Sequence, residues 1–393
     1  MPRDRSSSPL PYGRQWLDEE DVQSVLEILR GDWITQGPAI DLFENNLCRA
    51  VGARFAVAFS SGTAALHGAV YAAGVGPGAE VVTSPLSFVA GANAVLYQGG
   101  RPVFADVSAD TGNLDPEAAR RALSPRTRAL LPVDYAGHPA DLEALREIAR
   151  ERGILIIEDA AHSLGARLGG RPVGALADLT TFSFHPVKTI TTGEGGAVTT
   201  DDEALAHRLR LFRTHGITRE AGEFLHGDIE RGPWYYEMIE LGYNYRITDL
   251  QCALGLSQLR KLDAFVARRR AIVDRYREAF NKSDALTVPA SRPGAEPAWH
   301  IFPLRLRLDR LSSSRGAIFK ALRERGLGVQ VHYIPIPLHP YYRKHFGHAP
   351  GEFPRAEAYY AAEISLPLFP RMNDTDVEDV IAIVGEVVEE ARA

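Results

Sequence analysis

Lys188 sits between a short apolar run and a glycine-rich turn in "SFHPVKTITTGEGGAV" (183–198). Its amine is either a solvated cation or a reactive group. The glycines follow the lysine, which is the wrong order for a phosphate-binding P-loop. Upstream, "ILIIEDAAHS" (154–163) ends an apolar stretch in two acids. An unpaired buried carboxylate is expensive, so Asp159 either holds a cation or caps a helix. In "FAVAFSSGTAAL" (55–66) a strand-like run ends in Ser-Ser-Gly-Thr. If a helix starts there, the N–H groups of Gly62, Thr63 and Ala64 and the positive dipole end suit an anion such as phosphate. Ser60, Ser61 and Thr63 could equally serve as plain caps. Phe88, in "TSPLSFVAGANAV" (83–95), could cover one face of a planar ligand or pack in a core.

Taken together, these features describe one planar, phosphorylated, electron-withdrawing cofactor, pyridoxal 5′-phosphate. Lys188 would form a Schiff base with its aldehyde, and Asp159 would keep the ring nitrogen protonated. Phe88 would stack on the ring, while Gly62, Thr63, Ala64 and Ser183 would bind the phosphate. To attack, the lysine must be neutral, although its ordinary pKa is about 10.4. Burial and a nearby cation would lower it. Once released, the same amine could move a proton between substrate and cofactor. His185, three positions before Lys188, could contact the cofactor or its substrate, or pack at the rim.

Such residues need a rigid frame. Strand-like runs recur at 55–60, 80–85, 101–107, 127–135, 153–159, 179–185 and 196–200, with helical segments at 63–74, 86–98, 115–123 and 140–152. This alternation predicts an α/β domain with a seven-stranded, mostly parallel sheet. The last two strands are too close for a helical crossover, so one member is expected to be antiparallel. Residues 248–280 read as one long helix, about 45 Å at 1.5 Å per residue. Beyond it, strand-like 300–308 and 328–335 flank a helix at 314–325, which predicts a smaller C-terminal α/β domain. The expected division is an N-terminal segment (1–25), a large cofactor-binding domain (26–260) and a small domain (261–393).

Composition narrows the function classes. The 393 residues are 45% hydrophobic and 24% charged, with net charge −6, an ordinary globular composition without the basic footprint of a nucleic-acid binder. The run Arg268, Arg269, Arg270 reads as a solvated helix face. Two cysteines and twelve histidines, without ligand spacing, predict neither a disulfide framework nor a metal site. There is no signal-peptide pattern at the start and no apolar run long enough to span a membrane, so a cytoplasmic location is expected.

The motifs "SGTAALH", "TSPLSFVAGANAVLY", "EDAAHSLGA", "SFHPVKTITTGEGGAV" and "LGYNYRITDLQCALGLSQL" occur in the order found in the DegT/DnrJ/EryC1/StrS sugar aminotransferases, which the chain resembles over nearly its whole length. The resemblance implies the aspartate-aminotransferase fold (fold type I) and a homodimer with shared active sites. Asn244 would reach the phosphate bound by the neighbouring chain, with Arg246 near that site; alternatively Asn244 is a turn residue. His162 would lie near the cofactor's 3′-oxygen. Lys188 favours transamination, since a dehydratase branch of the family carries histidine there.

Within the family, "GPWYYEMIELGYNYRITDLQ" and "GVQVHYIPIPLHPYYR" are most similar to the group that makes pseudaminic acid precursors. That implies transfer of an amino group from L-glutamate to C4 of a UDP-linked 4-keto-6-deoxy-N-acetylhexosamine. Residues 326–343, with His332 and Tyr333, and the stretch from Tyr12 to Gln15 are candidate sugar and nucleotide contacts. The alternatives are another UDP-4-keto sugar, of the bacillosamine, legionaminic or 4-keto-arabinose type, and a non-catalytic regulator that keeps the cofactor fold.

Overall fold

The structure, a computed structural model, describes residues 9–226 and 232–392. Residues 1–8 of the expected N-terminal segment lie outside it. The central sheet contains β1 (Phe55–Phe59), β2 (Glu80–Thr83), β3 (Arg101–Phe104), β4 (Thr127–Leu131), β5 (Leu155–Asp159), β6 (Leu179–Ser183) and β7 (Gly196–Thr200). Their spatial order is β1-β7-β6-β5-β4-β2-β3. The expected antiparallel member is β7, which runs against both β1 and β6, while the remaining pairs are parallel.

Helices cover both faces of this sheet, so most of its strand residues are buried rather than alternating between inside and outside. One core gathers Phe43, Leu47, Phe182 and Phe184; the other gathers Val57, Phe59, Val70 and Ile157. A third core holds Tyr276, Phe302, Leu366 and Val380 beside a three-stranded antiparallel sheet, β8 (Leu286–Thr287), β9 (Phe302–Leu306) and β10 (Glu363–Leu366).

Three expectations are corrected. The stretch 248–280 forms two helices, Asp249–Leu259 and Leu262–Phe280. Neither proline nor glycine marks the break. Lys261 is held there by Asp18 and by Asp21 at 2.9 Å, while Gln258 donates to Asp21 at 2.9 Å. Contacts with the N-terminal segment thus set the turn.

The second correction concerns 328–335, which makes one bridge, Gln330 to Ser365, instead of a strand. The His332 N–H goes to the Glu363 side chain and its carbonyl to the Tyr135 hydroxyl, leaving neither for a ladder. The third concerns the arginine run. Arg269 is 1% exposed because it shares the buried stripe of its helix with Phe265, Val266, Ile272, Val273 and Tyr276. Its guanidinium donates to the carbonyls of Trp299, His300 and Leu368.

Candidate active site

A cavity of about 390 Å³ opens at the carboxyl ends of β1, β5 and β6, the edge where ligands of such sheets bind. It collects Gly62, Thr63, Phe88, Asp159, His162, Ser183, His185, Lys188, Tyr12, His332 and Tyr333. Four other candidates lie elsewhere. Ala64 is buried and donates its N–H to Ser61 Oγ at 3.1 Å. Gln15 lines a small crevice behind Lys188. Asn244, exposed, bridges to Thr214, and Arg246 does not line this chain's cavity.

At the helix Gly62–Ala72, Ser61 is the N-cap. The capping alternative therefore holds for Ser61 and removes the Ala64 N–H from the anion site. The N–H groups of Gly62 and Thr63 find no acceptor among the described residues, so two donors and the dipole end remain for an anion. Glycine is required at 62: a Cβ there would stand 2.8 Å from the Ser183 Cβ. At Gly196, where β7 begins, a Cβ would stand 2.5 Å from the Ser61 carbonyl oxygen. These two positions let Ser183 close on the helix N-terminus.

Asp159 ends β5 with 7% exposure. Its carboxylate accepts from the Ala161 N–H at 3.1 Å, and no ion pair to it is found among the described residues. Burial raises its pKa, against the opposing effects of the Ala161 bond and Lys188. A cationic partner would favour the ionised form. Lys188 follows β6 in a turn, with its N–H bonded to the His185 carbonyl. Its pKa is lowered to about 8, first by burial and then by the Arg269 guanidinium, with Asp159 opposing.

Around them, His162 Nε2 lies 3.2 Å from the Tyr333 hydroxyl, and its buried Nδ1 has no partner among the described residues. Burial, Lys188 and His332 hold this imidazole well below its usual pKa, so it is neutral. Phe88 is 59% exposed at the cavity and tilts against Tyr333, which places its ring outside the core. A buried carboxylate awaiting a cation, two free helix N–H groups, a lysine of lowered pKa and an exposed ring together fit pyridoxal 5′-phosphate.

Sequence reasoning missed His300, a buried cavity residue whose ring lies 4.4 Å from that of His162. In "AWHIF" nothing distinguishes it from a core histidine. It also missed Ser87 and the exposed Glu194, which both line the cavity. Arg269 was within reach of the sequence, since the period of its apolar neighbours puts it inside.

The Methanocaldococcus jannaschii protein MJ1066 is 42% identical over 383 residues, with 98% of each chain covered. The spore coat polysaccharide biosynthesis protein SpsC of Bacillus subtilis is 41% identical over 383 residues, covering 97% of this chain and 98% of SpsC. Among solved structures, Helicobacter pylori PseC, an aminotransferase involved in the biosynthesis of pseudoaminic acid, superposes with a TM-score of 0.90 at 33% identity, covering 98% of this chain and 100% of PseC. Spr1654 from Streptococcus pneumoniae in its PLP form gives 0.89 at 29% identity, covering 97% and 99%. The sequence profile of the DegT/DnrJ/EryC1/StrS aminotransferase family matches residues 15–385, and the chain belongs to that family.

Proposed function

We propose that this protein is a pyridoxal-phosphate-dependent sugar aminotransferase, a cytoplasmic homodimer. It takes an amino group from L-glutamate and delivers it to C4 of a UDP-4-keto-6-deoxy-N-acetylhexosamine. The products are UDP-4-amino-4,6-dideoxy-N-acetyl-β-L-altrosamine and 2-oxoglutarate. The observation that carries the reading is the meeting of Lys188, Asp159 and the free N–H groups of Gly62 and Thr63 in one cavity. The likeness to PseC supports the choice of sugar. The similar likeness to SpsC favours, as second reading, another UDP-4-keto sugar destined for a polysaccharide.

When bound, pyridoxal 5′-phosphate supplies the electron sink and carries the amino group between the two substrates. Asp159 would pair with its ring nitrogen, Gly62, Thr63 and Ser183 would hold its phosphate, Phe88 would cover its ring, and His162 would stand near its 3′-oxygen. Lys188 Nζ, with its lowered pKa, is fitted to take a proton from the substrate carbon and return it to the cofactor, or the reverse. Tyr12, His332, Tyr333 and His185 surround the space left for the sugar.

The homodimer reading draws on Leu29, Trp33, Ile34, Trp234 and Leu241, all more than half exposed, as a surface for a second copy. In such a dimer Asn244 and Arg246 would serve the neighbouring cavity. The experiment is incubation of the holoenzyme with L-glutamate and a panel of UDP-4-keto sugars, scored by mass and NMR of the product. One aminated sugar, at C4, is expected. Failure with every 4-keto sugar rejects the assignment, and a spectrum indifferent to L-glutamate would favour a non-catalytic regulator.

A further inference from the structure

His332 enters the cavity with its polar atoms engaged, save one, by other described residues. Its N–H donates to Glu363 Oε2 at 2.9 Å, its carbonyl accepts from the Tyr135 hydroxyl, and Nδ1 lies 2.8 Å from Ser365 Oγ. The Ser365 hydroxyl also hydrogen-bonds Glu363 Oε1. Glu363 and Ser365 are wholly buried on β10, two residues apart and therefore on one face. Ring Nε2 is left for the cavity that His332 lines. Burial and Lys188 lower the pKa of His332 to about 4, so the ring is neutral and carries one N–H. Which nitrogen bears it depends on the bond made by the other.

We propose that Glu363 and Ser365 are positioning residues that fix the tautomer of His332, so that Nε2–H faces the cavity as a donor to an oxygen of the bound sugar. The donor's target rests on the aminotransferase reading above; the relay itself does not. Glu363, pushed up to about 8 by burial, carries a proton at neutral pH. It donates to Ser365 Oγ, the Ser365 hydroxyl donates to Nδ1, and Nε2 keeps the ring hydrogen. On ionisation, a proton leaves Nε2 for water while each relay hydrogen moves one place toward Nδ1. Nε2 then becomes an acceptor.

The other groups facing Glu363 stay in one state near pH 8. Tyr135, Tyr333 and Tyr359 are raised by burial and remain neutral. Arg315 acts through space, and Arg305, opposite Glu363 on β9, lies over the Tyr359 ring at 4.7 Å. Lys188, which titrates in the same range, is common to all the variants compared.

The test is ¹⁵N NMR of the holoenzyme with labelled histidine, the His332 signals being identified with His332→Gln. Nε2–H is expected at pH 7 and Nδ1–H at pH 9.5. Glu363→Gln, whose amide donates to Ser365 and accepts from the His332 N–H, should keep Nε2–H at both. Ser365→Ala should abolish the pH response and Ser365→Thr restore it. In turnover, the KM for the UDP-4-keto sugar should rise about fivefold above pH 8 in the wild type and stay flat in Glu363→Gln. This effect should fall on that KM rather than on the glutamate half-reaction. The same tautomer and pH response in wild type and Glu363→Gln would overturn the relay. A relay that behaves as stated while no UDP-4-keto sugar is turned over would overturn the substrate reading and leave the relay supported.

Discussion

The two walls of the cavity are built differently. On one side, Gly62, Asp159, Ser183 and Lys188 sit on or just past the ends of β1, β5 and β6, whose backbone groups are tied into one sheet. On the other, His332 and Tyr333 belong to an irregular segment held by side chains: Glu363, Ser365, Tyr135 and His162. The first wall is set by a rigid ladder, and its residues suit a cofactor common to both half-reactions. The second is set by a few polar contacts, so small changes there can alter which substrate fits without disturbing the first.

That contrast can be broken by experiment. Lys188→Ala should remove the cofactor's protein-bound absorbance and lower both half-reactions by at least about 10⁴-fold. A mutant that keeps one half-reaction would show that the sheet wall does not serve both. Asp159→Asn keeps the shape and loses the charge, so both half-reactions should fall by about 10² to 10³-fold. Stopped-flow traces of each half-reaction would read this, and a loss confined to the sugar step would erase the distinction between the walls.

Arg269→Met sharpens the comparison more gently. On the function proposed above, cofactor capture by the apoprotein requires neutral Lys188, so its rate should climb as pH rises through about 8 and then level off. Removing the guanidinium takes away one of the causes that lower this pKa. The midpoint, read from absorbance during capture, should move to higher pH. Three buried carbonyls would also lose their donor, which should cost about 2–4 kcal/mol of stability. An unshifted midpoint in a folded variant would show that burial alone lowers Lys188.

Much of the sheet wall was legible. The runs ending near Ser61, Asp159 and Ser183 are strands buried on both faces, rich in apolar and β-branched residues, and such runs announce themselves without tertiary information. The closeness of β6 to β7 forced the antiparallel member. Arg269 was legible as well, once its helical phase is given more weight than its charge. His300 was not, because an isolated histidine beside apolar residues has the same pattern in a core as in a site.

The sequence by itself determined the order of strands and helices, and with it which residues stand at the carboxyl edge, because hydrophobic period and turn residues are local properties. Tertiary structure decided the rest. It broke the helix at Lys261 through Asp18 and Asp21, withdrew the Ala64 N–H into a cap, and drew His332 out of a strand into a relay with Ser365 and Glu363. Each of these depends on a polar partner distant in the chain or on a choice among local partners, and burial makes an unsatisfied group expensive only once the fold has closed around it.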